Sequence, residues 1–343
     1  MMKKTFFLLF FTVLLSAQET IHIDFRQSLK DRNSRTKSLT VKDIRQDKNI
    51  GSITNKRGTV DIKLAEQDVS DFFSKKFSED NKTVGSNDIT VLLEDLKIYN
   101  EQAPNDNMNY AKAKIKISSF LKRNDKYYFI DRFDNVFVEF NTDAKVAKNL
   151  AQTVSDIIMQ FIKNSCTSPV SGYYIPEEEL ENYNAYLSKS NKSLNENPLK
   201  EGIYLNYKSF FEQTPNQDHT LVKNKKGEVK KIHNKQDLSI SMSEVFCYVD
   251  NGIQYISTAA GFKEVKKNDI GSYIHASRAQ MFPEKSGTGA MVGAMAGGIV
   301  GAAVGAAIDS GSNRSTAKGY GFKNGTITKV YIDSLTGDFV FTE

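Results

Sequence analysis

Five glycines recur at a spacing of four residues in an uncharged run, residues 289–308, with the sequence GAMVGAMAGGIVGAAVGAAI. Four residues nearly close a turn of an α-helix, so a helix here would carry all five on one slowly drifting stripe. Such a stripe lets a second backbone approach closely, as small-residue motifs do between membrane helices. A helix of this length spans about 30 Å, the thickness of the hydrocarbon core of a bilayer. The five glycines are Gly289, Gly293, Gly297, Gly301 and Gly305.

A soluble helix packed on protein would use the same stripe. Only seven of the 20 residues are strongly apolar, against seven alanines and six glycines. Each glycine costs about 1 kcal/mol relative to alanine in a helix, so either arrangement needs a close contact in compensation. The length and the lack of charge favour membrane insertion or association. Residues 287–308 also resemble the glycine-zipper segments of bacterial envelope proteins.

The N-terminus has the pattern of a secretory signal peptide. Lys3 and Lys4 precede the apolar stretch 6–15, and Ser16 and Ala17 provide a small-residue cleavage site. Residues 1–17 are therefore predicted to be removed. The sequence predicts an exported protein, periplasmic or associated with the outer membrane of a Gram-negative-type envelope, with secretion as the alternative.

Charge and cysteine content limit the partners. The chain of 343 residues has 46 basic and 41 acidic side chains, a formal net charge of +5. This modest excess suits an envelope protein near anionic lipid and falls short of the basic face expected for nucleic-acid binding. The two cysteines, Cys166 and Cys247, could form a disulfide that closes a loop of about eighty residues. Two separately buried thiols are the equally weighted alternative.

Residues 18–164 are predicted to form an α+β domain with an antiparallel sheet and two helices. Amphipathic helices are expected at 65–78 and 143–163, the second capped by Thr142. Long strands are expected at 89–99, 111–117 and 127–140. The middle one exposes three lysines on one face, either a solvated surface or a landing patch for acidic lipid headgroups. They are Lys112, Lys114 and Lys116.

This half resembles the small envelope lipoproteins related to ABC-transport auxiliary subunits. The resemblance rests on LTVKDIRQDKNIG at 39–51, on EQDVSDFFSKKF at 66–77 and on a strand–hairpin–helix order that ends in VSDIIMQFI. It implies a non-catalytic periplasmic scaffold. No cysteine follows the signal segment, so the lipid anchor of that family is not expected at that point.

The rest of the chain is predicted to be a linker, 165–200, followed by a mostly β domain, 201–343, that carries the Gly/Ala-rich helix 287–308. Asn251-Gly252 is a strong two-residue hairpin signal, and Ser334–Gly337 indicates a second hairpin. A Gly-x-Tyr-[Ile/Leu] pattern begins at Gly172, Gly202 and Gly271 and raises the alternative of an internal repeat. This half resembles uncharacterised exported domains with the same pattern and a terminal Leu-Thr-Gly-Asp turn.

The sequence offers little to suggest an enzyme. No two of its four histidines have the spacing of a helical zinc site, and it contains no Cys-x-x-Cys, Walker loop, dinucleotide fingerprint or Gly-x-Ser-x-Gly. Cys247 and His275 lie on strands predicted to be neighbours, so one interpretation is a Cys–His nucleophile pair and the other is a buried cysteine and a rim histidine. The second interpretation is favoured. No catalytic residue, cofactor, metal or small-molecule substrate is expected.

The sequence thus predicts a non-catalytic cell-envelope protein that associates with a membrane or an envelope partner, or with itself, through the glycine stripe. The rival hypothesis is a secreted pore-forming or toxin-like protein whose glycine helix inserts into a target membrane.

Overall fold

The computed structural model describes eight stretches of the chain, and the fold they form is α+β and mostly β. The described residues are 19–83, 85–102, 109–139, 144–170, 172–227, 229–241, 244–281 and 325–342. The predicted signal segment, the cap at Thr142 and the glycine run 289–308 lie outside them.

The first half contains both predicted helices and all the predicted long strands. Its elements are β1 (Glu19–Ile23), β2 (Thr36–Asp43), β3 (Gly51–Asn55), β4 (Gly58–Leu64), α1 (Val69–Asp80), β5 (Asn87–Gln102), β6 (Asn109–Arg123), β7 (Lys126–Glu139) and α2 (Val146–Ser165). Strand β3 was not predicted, because its sequence GSITN has only one strongly apolar residue, Ile53, which is fully buried.

Residues 165–200 are folded, in contrast to the predicted linker. They form β8 (Tyr174–Pro176), a 3-10 turn (Glu177–Glu179), α3 (Tyr183–Ser188) and α4 (Lys192–Asn195). Strand β8 pairs with the start of β7, and the following residues Leu180, Tyr183 and Leu187 join a buried cluster with Phe120 and Phe129 of the sheet. The segment therefore forms a packed layer rather than a spacer.

Eight strands, β1 to β8, form one large sheet in the order β1–β4–β3–β5–β6–β7–β8, with β2 also paired to β5. The pairs β5–β6 and β6–β7 are antiparallel, as predicted, but β1–β4 and β2–β5 are parallel. The sheet is therefore mixed and not wholly antiparallel.

The two long helices cover one face of this sheet. Helix α1 begins at its cap Asp68, whose carboxylate accepts the N–H of Asp71, and buries Phe73 and Phe77. Helix α2 buries an apolar stripe, including Val154 and Phe161, in the same core. Burial of these large side chains supplies most of the stabilisation of this layer, at about 2–3 kcal/mol for each.

The second half contributes short strands and small helices. They are β9 (Gly202–Tyr204), α5 (Tyr207–Phe211), β10 (His219–Lys223), β11 (Val229–Asn234), β12 (Cys247–Asp250), β13 (Ile253–Thr258), β14 (Gly261–Glu264), β15 (Lys266–Lys267), β16 (Ser272–Ala276), α6 (Arg278–Met281), β17 (Thr328–Ile332) and β18 (Phe339–Val340).

These strands form three small sheets: β10–β11, β14–β13–β12–β9 and β15–β16–β17–β18. The hairpin predicted at Asn251-Gly252 joins β12 to β13, and both residues have the positive φ that this turn requires. The Gly-x-Tyr pattern starts β8, β9 and β16, but Tyr174 is 45 % exposed whereas Tyr204 is fully buried. The pattern therefore does not mark equivalent positions.

Strands β16 and β17 are antiparallel neighbours, although 51 residues separate Ala276 from its partner Thr328 in the chain. The strands on either side of residues 282–324, which include the glycine run, are therefore neighbours in one sheet. The hairpin β17–β18 is thus paired to the rest of the second half. No helix within the described stretches is both long enough and apolar enough to cross a membrane.

Candidate functional site

The most unusual chemistry in the described structure lies along one edge of β7. At Tyr127 and Tyr128 this edge is paired with β8, and at Val136 the backbone N–H donates to the carbonyl of Phe341 near the C-terminus. Between these two points lies the consecutive pair Asp131-Arg132. A register shift next to Asp131 marks an irregularity in the β6–β7 ladder, a device that often redirects side chains at a sheet edge.

Arg132 is the centre of a buried hydrogen-bond network. Its Nε and Nη2 atoms donate to Oδ2 and Oδ1 of Asp333, both at 2.6 Å. Its Nη1 atom donates to Oδ1 of Asn184 at 2.7 Å. Neighbouring Tyr183 donates to Oε1 of Glu94 at 2.8 Å, and its hydroxyl also lies 2.6 Å from that of Ser118. One guanidinium therefore joins the large sheet, helix α3 and the C-terminal hairpin.

The turn after β17 is built to present Asp333. Oδ1 of this residue accepts the N–H groups of Leu335 and Thr336, and its backbone N–H donates to the carbonyl of Asp338. Burial alone raises the pKa of Asp333, but the Arg132 guanidinium and these donors outweigh burial and lower that pKa. Asp333 is therefore held as a carboxylate opposite Arg132.

Gly337 is required in the same turn. Its φ of +77° lies in the left-handed region, and a Cβ atom there would stand 2.4 Å from Cδ2 of Tyr207. The Tyr207 hydroxyl donates to the carbonyl of Ser334 at 2.5 Å, and Nδ2 of Asn191 donates to the same carbonyl. The tight turn and the aromatic ring thus hold each other in place.

Two further acids surround the ion pair. Asp131 is buried, and that burial, opposed by the N–H of Arg132 and reinforced by the charge of Asp333, raises its pKa to about 7. Burial and the charges of Asp131 and Asp333 raise the pKa of Asp338 well above its ordinary value. Asp338 still keeps some exposed surface, because it faces a cavity. A single guanidinium thus lies among three carboxyl groups. Because Asp333 forms the ion pair with it, at least one of the other two, Asp131 and Asp338, is expected to hold a proton.

The cavity beside Asp131 and Asp338 has a volume of about 300 Å³. Its walls are mainly apolar and aromatic, and they include Phe129, Tyr173 and Phe211. This size lies at the lower limit for a small-molecule site. The carboxyl pair could exchange a proton or hold a small polar group there.

A second cavity, of about 540 Å³, lies over the lysine face of β6, between the sheet and the second half of the chain. Each of the three lysines on this face of β6 has a carboxylate partner on β5. The ammonium–carboxylate distances are 3.1 Å for Lys112–Glu101, 3.0 Å for Lys114–Asp95 and 3.2 Å for Lys116–Glu94. Lys112 is itself buried. This arrangement argues against a landing patch for lipid headgroups on this face.

The other residues singled out from the sequence are not brought together. Cys166 and Cys247 are free, buried thiols, and burial raises the pKa of Cys166 to about 11 and that of Cys247 well above its ordinary value. Cys247 pairs with β13 and β9, whereas the exposed His275 lies on another sheet. The two strands are therefore not neighbours, contrary to the prediction. The described residues contain no group of three potential metal ligands.

Sequence reasoning missed the network around Arg132. One available signal was the consecutive charged pair Asp131-Arg132 inside the strand FIDRFDNVF, which has apolar residues at both ends. Another was the aspartate at each end of the turn DSLTGD, Asp333 and Asp338. Neither pattern indicates its partner, because the two segments are about 200 positions apart in the chain. Comparison with protein-family models, curated proteins and solved structures finds no match to this chain.

Proposed function

We propose that this chain is a non-catalytic, exported cell-envelope protein that associates with a membrane or an envelope partner through the glycine run 289–308. The observation that carries the proposal is the pairing of β16 with β17, the strands that flank the run. The described strands before and after the run are neighbours in one folded body, which supports a segment between them that is presented to a partner.

The chain on both sides of the run belongs to that body. Residues after the glycine run contact the large sheet at two points. Asp333 pairs with Arg132, and the carbonyl of Phe341 accepts the backbone N–H of Val136. A single membrane crossing would separate these residues from β16 and β7. Association must therefore leave both ends of the run on the same side of a bilayer.

The buried acids favour a structural rather than a catalytic assignment. Asp333 is occupied by Arg132 and by two backbone N–H groups of its turn. Asp131 accepts the N–H of Arg132, and Cys247 is fully buried. A scaffold that holds its C-terminal hairpin against the sheet accounts for each of these contacts.

Carbonate extraction of cell envelopes tests the proposal. The full chain is compared with a variant in which residues 287–310 are replaced by a Gly/Ser linker of equal length. We expect the full chain to stay in the pellet and the variant to be released. Both should unfold at the same temperature, because the paired ends at Ala276 and Thr328 are kept.

Equal retention of the two proteins would show that the run is not the attachment segment. Release of the full chain into the medium, together with lysis of liposomes, would instead support the pore-forming alternative.

A further inference from the structure

The cavity beside Asp131 and Asp338 has an aromatic wall and an acidic end. Helix α5 contributes Tyr207 and Phe211, which lie one turn apart and therefore on the same side of the helix. The centre of the Phe211 ring lies 5.3 Å from that of Tyr173, which precedes β8. Aromatic rings attract cations through their faces, and carboxylates pair with ammonium groups, so this combination suits an organic ammonium ion.

A bulge in β7 places Asp131 at this cavity. The β6–β7 pairing passes from Phe129 directly to Asp131, so Ile130 is an extra residue on β7. Asp131 is only 7 % exposed, and it lines the cavity although it lies within a strand of the large sheet. Bulges often redirect a side chain next to a functional site.

The side chain of Asp131 has unused capacity to accept hydrogen bonds. Its Oδ1 atom accepts the N–H of Arg132 at 2.9 Å. Among the residues that the structure describes, none donates a hydrogen bond to its Oδ2 atom. This oxygen of a buried carboxyl group is therefore available to a donor on a ligand. Asp338, in the turn before β18, brings a second carboxyl group to the same cavity.

The charges around the cavity favour one added cation. Arg132 is paired with Asp333, so its charge is already balanced. Ionisation of both Asp131 and Asp338 would therefore place two uncompensated negative charges in a mostly apolar site. Burial, together with the charge of Asp333, raises the pKa of both acids for this reason. An ammonium group would supply the missing positive charge in place of a proton.

Other titratable residues also line the cavity. Burial raises the pKa of Tyr173 and Tyr207, so both phenols are neutral near pH 7. Lys208 is exposed, so water and salt screen its charge from the acids. Val170 on the same wall is 40 % exposed, so the cavity opens at the surface and a ligand can enter.

We propose that this cavity binds a small organic ammonium ion, such as a primary amine with one aromatic or short alkyl group. The carboxyl groups of Asp131 and Asp338 hold the ammonium, and the apolar group packs against the rings of Tyr173 and Phe211. The volume of about 300 Å³ limits the ligand to a small molecule of this kind. The proposal goes beyond the envelope role proposed above and does not depend on the glycine run.

Isothermal titration calorimetry of the full chain tests the proposal with phenethylamine, and with phenethyl alcohol as its neutral counterpart. At pH 8 we expect the amine to bind at least about tenfold more tightly than the alcohol, because only the amine forms a charged contact. Methylammonium, which has the charge without the apolar group, should also bind at least about tenfold more weakly than phenethylamine.

Binding of the amine should depend on pH, because its ammonium replaces a proton. The pKa of Asp131 is about 7, so the affinity for the amine should be about tenfold lower at pH 6 than at pH 8. The amine itself stays protonated in this range, because an alkylamine has a pKa close to that of lysine, about 10.4. Binding of the alcohol should be the same at both pH values.

Two variants locate the site. Asp131→Asn and Asp338→Asn should each weaken binding of the amine at pH 8 at least about tenfold and reduce its pH dependence. Unchanged binding of phenethyl alcohol by both variants would show that the cavity is intact. The control Asp125→Asn removes the same charge from the exposed turn before β7 and should bind the amine as the wild type does.

Four results would overturn the proposal. Equal binding of amine and alcohol by the wild type at pH 8 would exclude recognition by charge. Undiminished binding of the amine by both cavity variants would place it elsewhere, and an equal loss in Asp125→Asn would show that net charge controls binding. Failure of phenethylamine to bind at about millimolar concentration would exclude the site itself. None of these results bears on association through the glycine run.

Discussion

Arg132 and Asp333 are 201 positions apart in the chain and form a buried ion pair through two hydrogen bonds of 2.6 Å. This pair joins β7 of the large sheet to the turn of the C-terminal hairpin. The two halves of the chain are therefore joined by a buried charged contact, whose contribution to stability can be measured.

Removal of one partner should be strongly destabilising. Arg132→Met leaves Asp333 buried without its cation, so we expect a loss of about 3–5 kcal/mol in the free energy of unfolding. The double variant Arg132→Met/Asp333→Asn should recover a large part of this loss, because no buried charge of the pair remains and the Asn side-chain oxygen can still accept the N–H groups of Leu335 and Thr336. Urea unfolding measures both.

The control is Lys122→Met at the exposed pair with Glu177, which should cost less than about 1 kcal/mol. A single Arg132 variant as stable as this control would contradict the buried ion pair.

Stability should fall as the pH rises between about 4 and 7. The pKa of Asp131 is raised from 3.8 to about 7 in the folded protein, so in this range the folded state holds a proton that the unfolded state has released. The contribution of this group amounts to at most about 4 kcal/mol. Asp333, whose pKa is lowered, acts in the opposite direction, and its contribution is lost only below about pH 4.

Asp131→Asn should weaken this pH dependence and raise stability near pH 8, while part of the dependence should remain because the pKa of Asp338 is also raised. Urea unfolding across the pH range measures both effects. Asp125→Asn, in the exposed turn before β7, should leave the profile unchanged. Parallel profiles for wild type and Asp131→Asn would refute the assignment.

Gly337→Ala should be more damaging than the same change at Gly252. Both glycines have nearly the same left-handed φ, +77° and +76°, so both substitutions carry the backbone cost of about 1–2 kcal/mol. Only at Gly337 would the new Cβ meet a ring, that of Tyr207, at 2.4 Å, which adds about 1–3 kcal/mol. Thermal unfolding of the two variants isolates the clash, and equal losses would show that the Tyr207 ring moves aside freely.

The folded protein should resist thiol alkylation. Cys166 and Cys247 are buried and free, and burial raises the pKa of both thiols, so the reactive thiolate is scarce. Mass spectrometry should find both thiols unmodified after iodoacetamide treatment of native protein and both alkylated in urea without reductant. Absence of labelling in urea would instead reveal a disulfide.

The glycine stripe gives a prediction that separates packing from hydrophobicity. Replacing Gly293, Gly297 and Gly301 by leucine should abolish association through the run, because the bulky side chains keep another backbone away. The same changes make the run more apolar, so membrane retention should hold or increase. Crosslinking and carbonate extraction measure the two effects separately. Unfolding of the variant as a soluble protein would mean that the stripe packs inside the fold.

Features that depend on near neighbours in the chain can be predicted from the sequence alone. Helical spacing predicted α1 and α2, alternation predicted the long strands, and Asn251-Gly252 predicted a hairpin, because each signal lies within a few residues. The glycine spacing is equally clear in the sequence, but the run 289–308 lies outside the described residues.

Features that need a partner far away in the chain are visible only in the folded protein. The parallel pairing of β2 with β5, the docking of residues 165–200 on the sheet and the meeting of Arg132 with Asp333 depend on how the whole chain closes. The lysines of β6 show the same limit. Alternation predicted their common face, but only folding placed a carboxylate from β5 beside each ammonium, because strand register is set by the packing of the entire sheet.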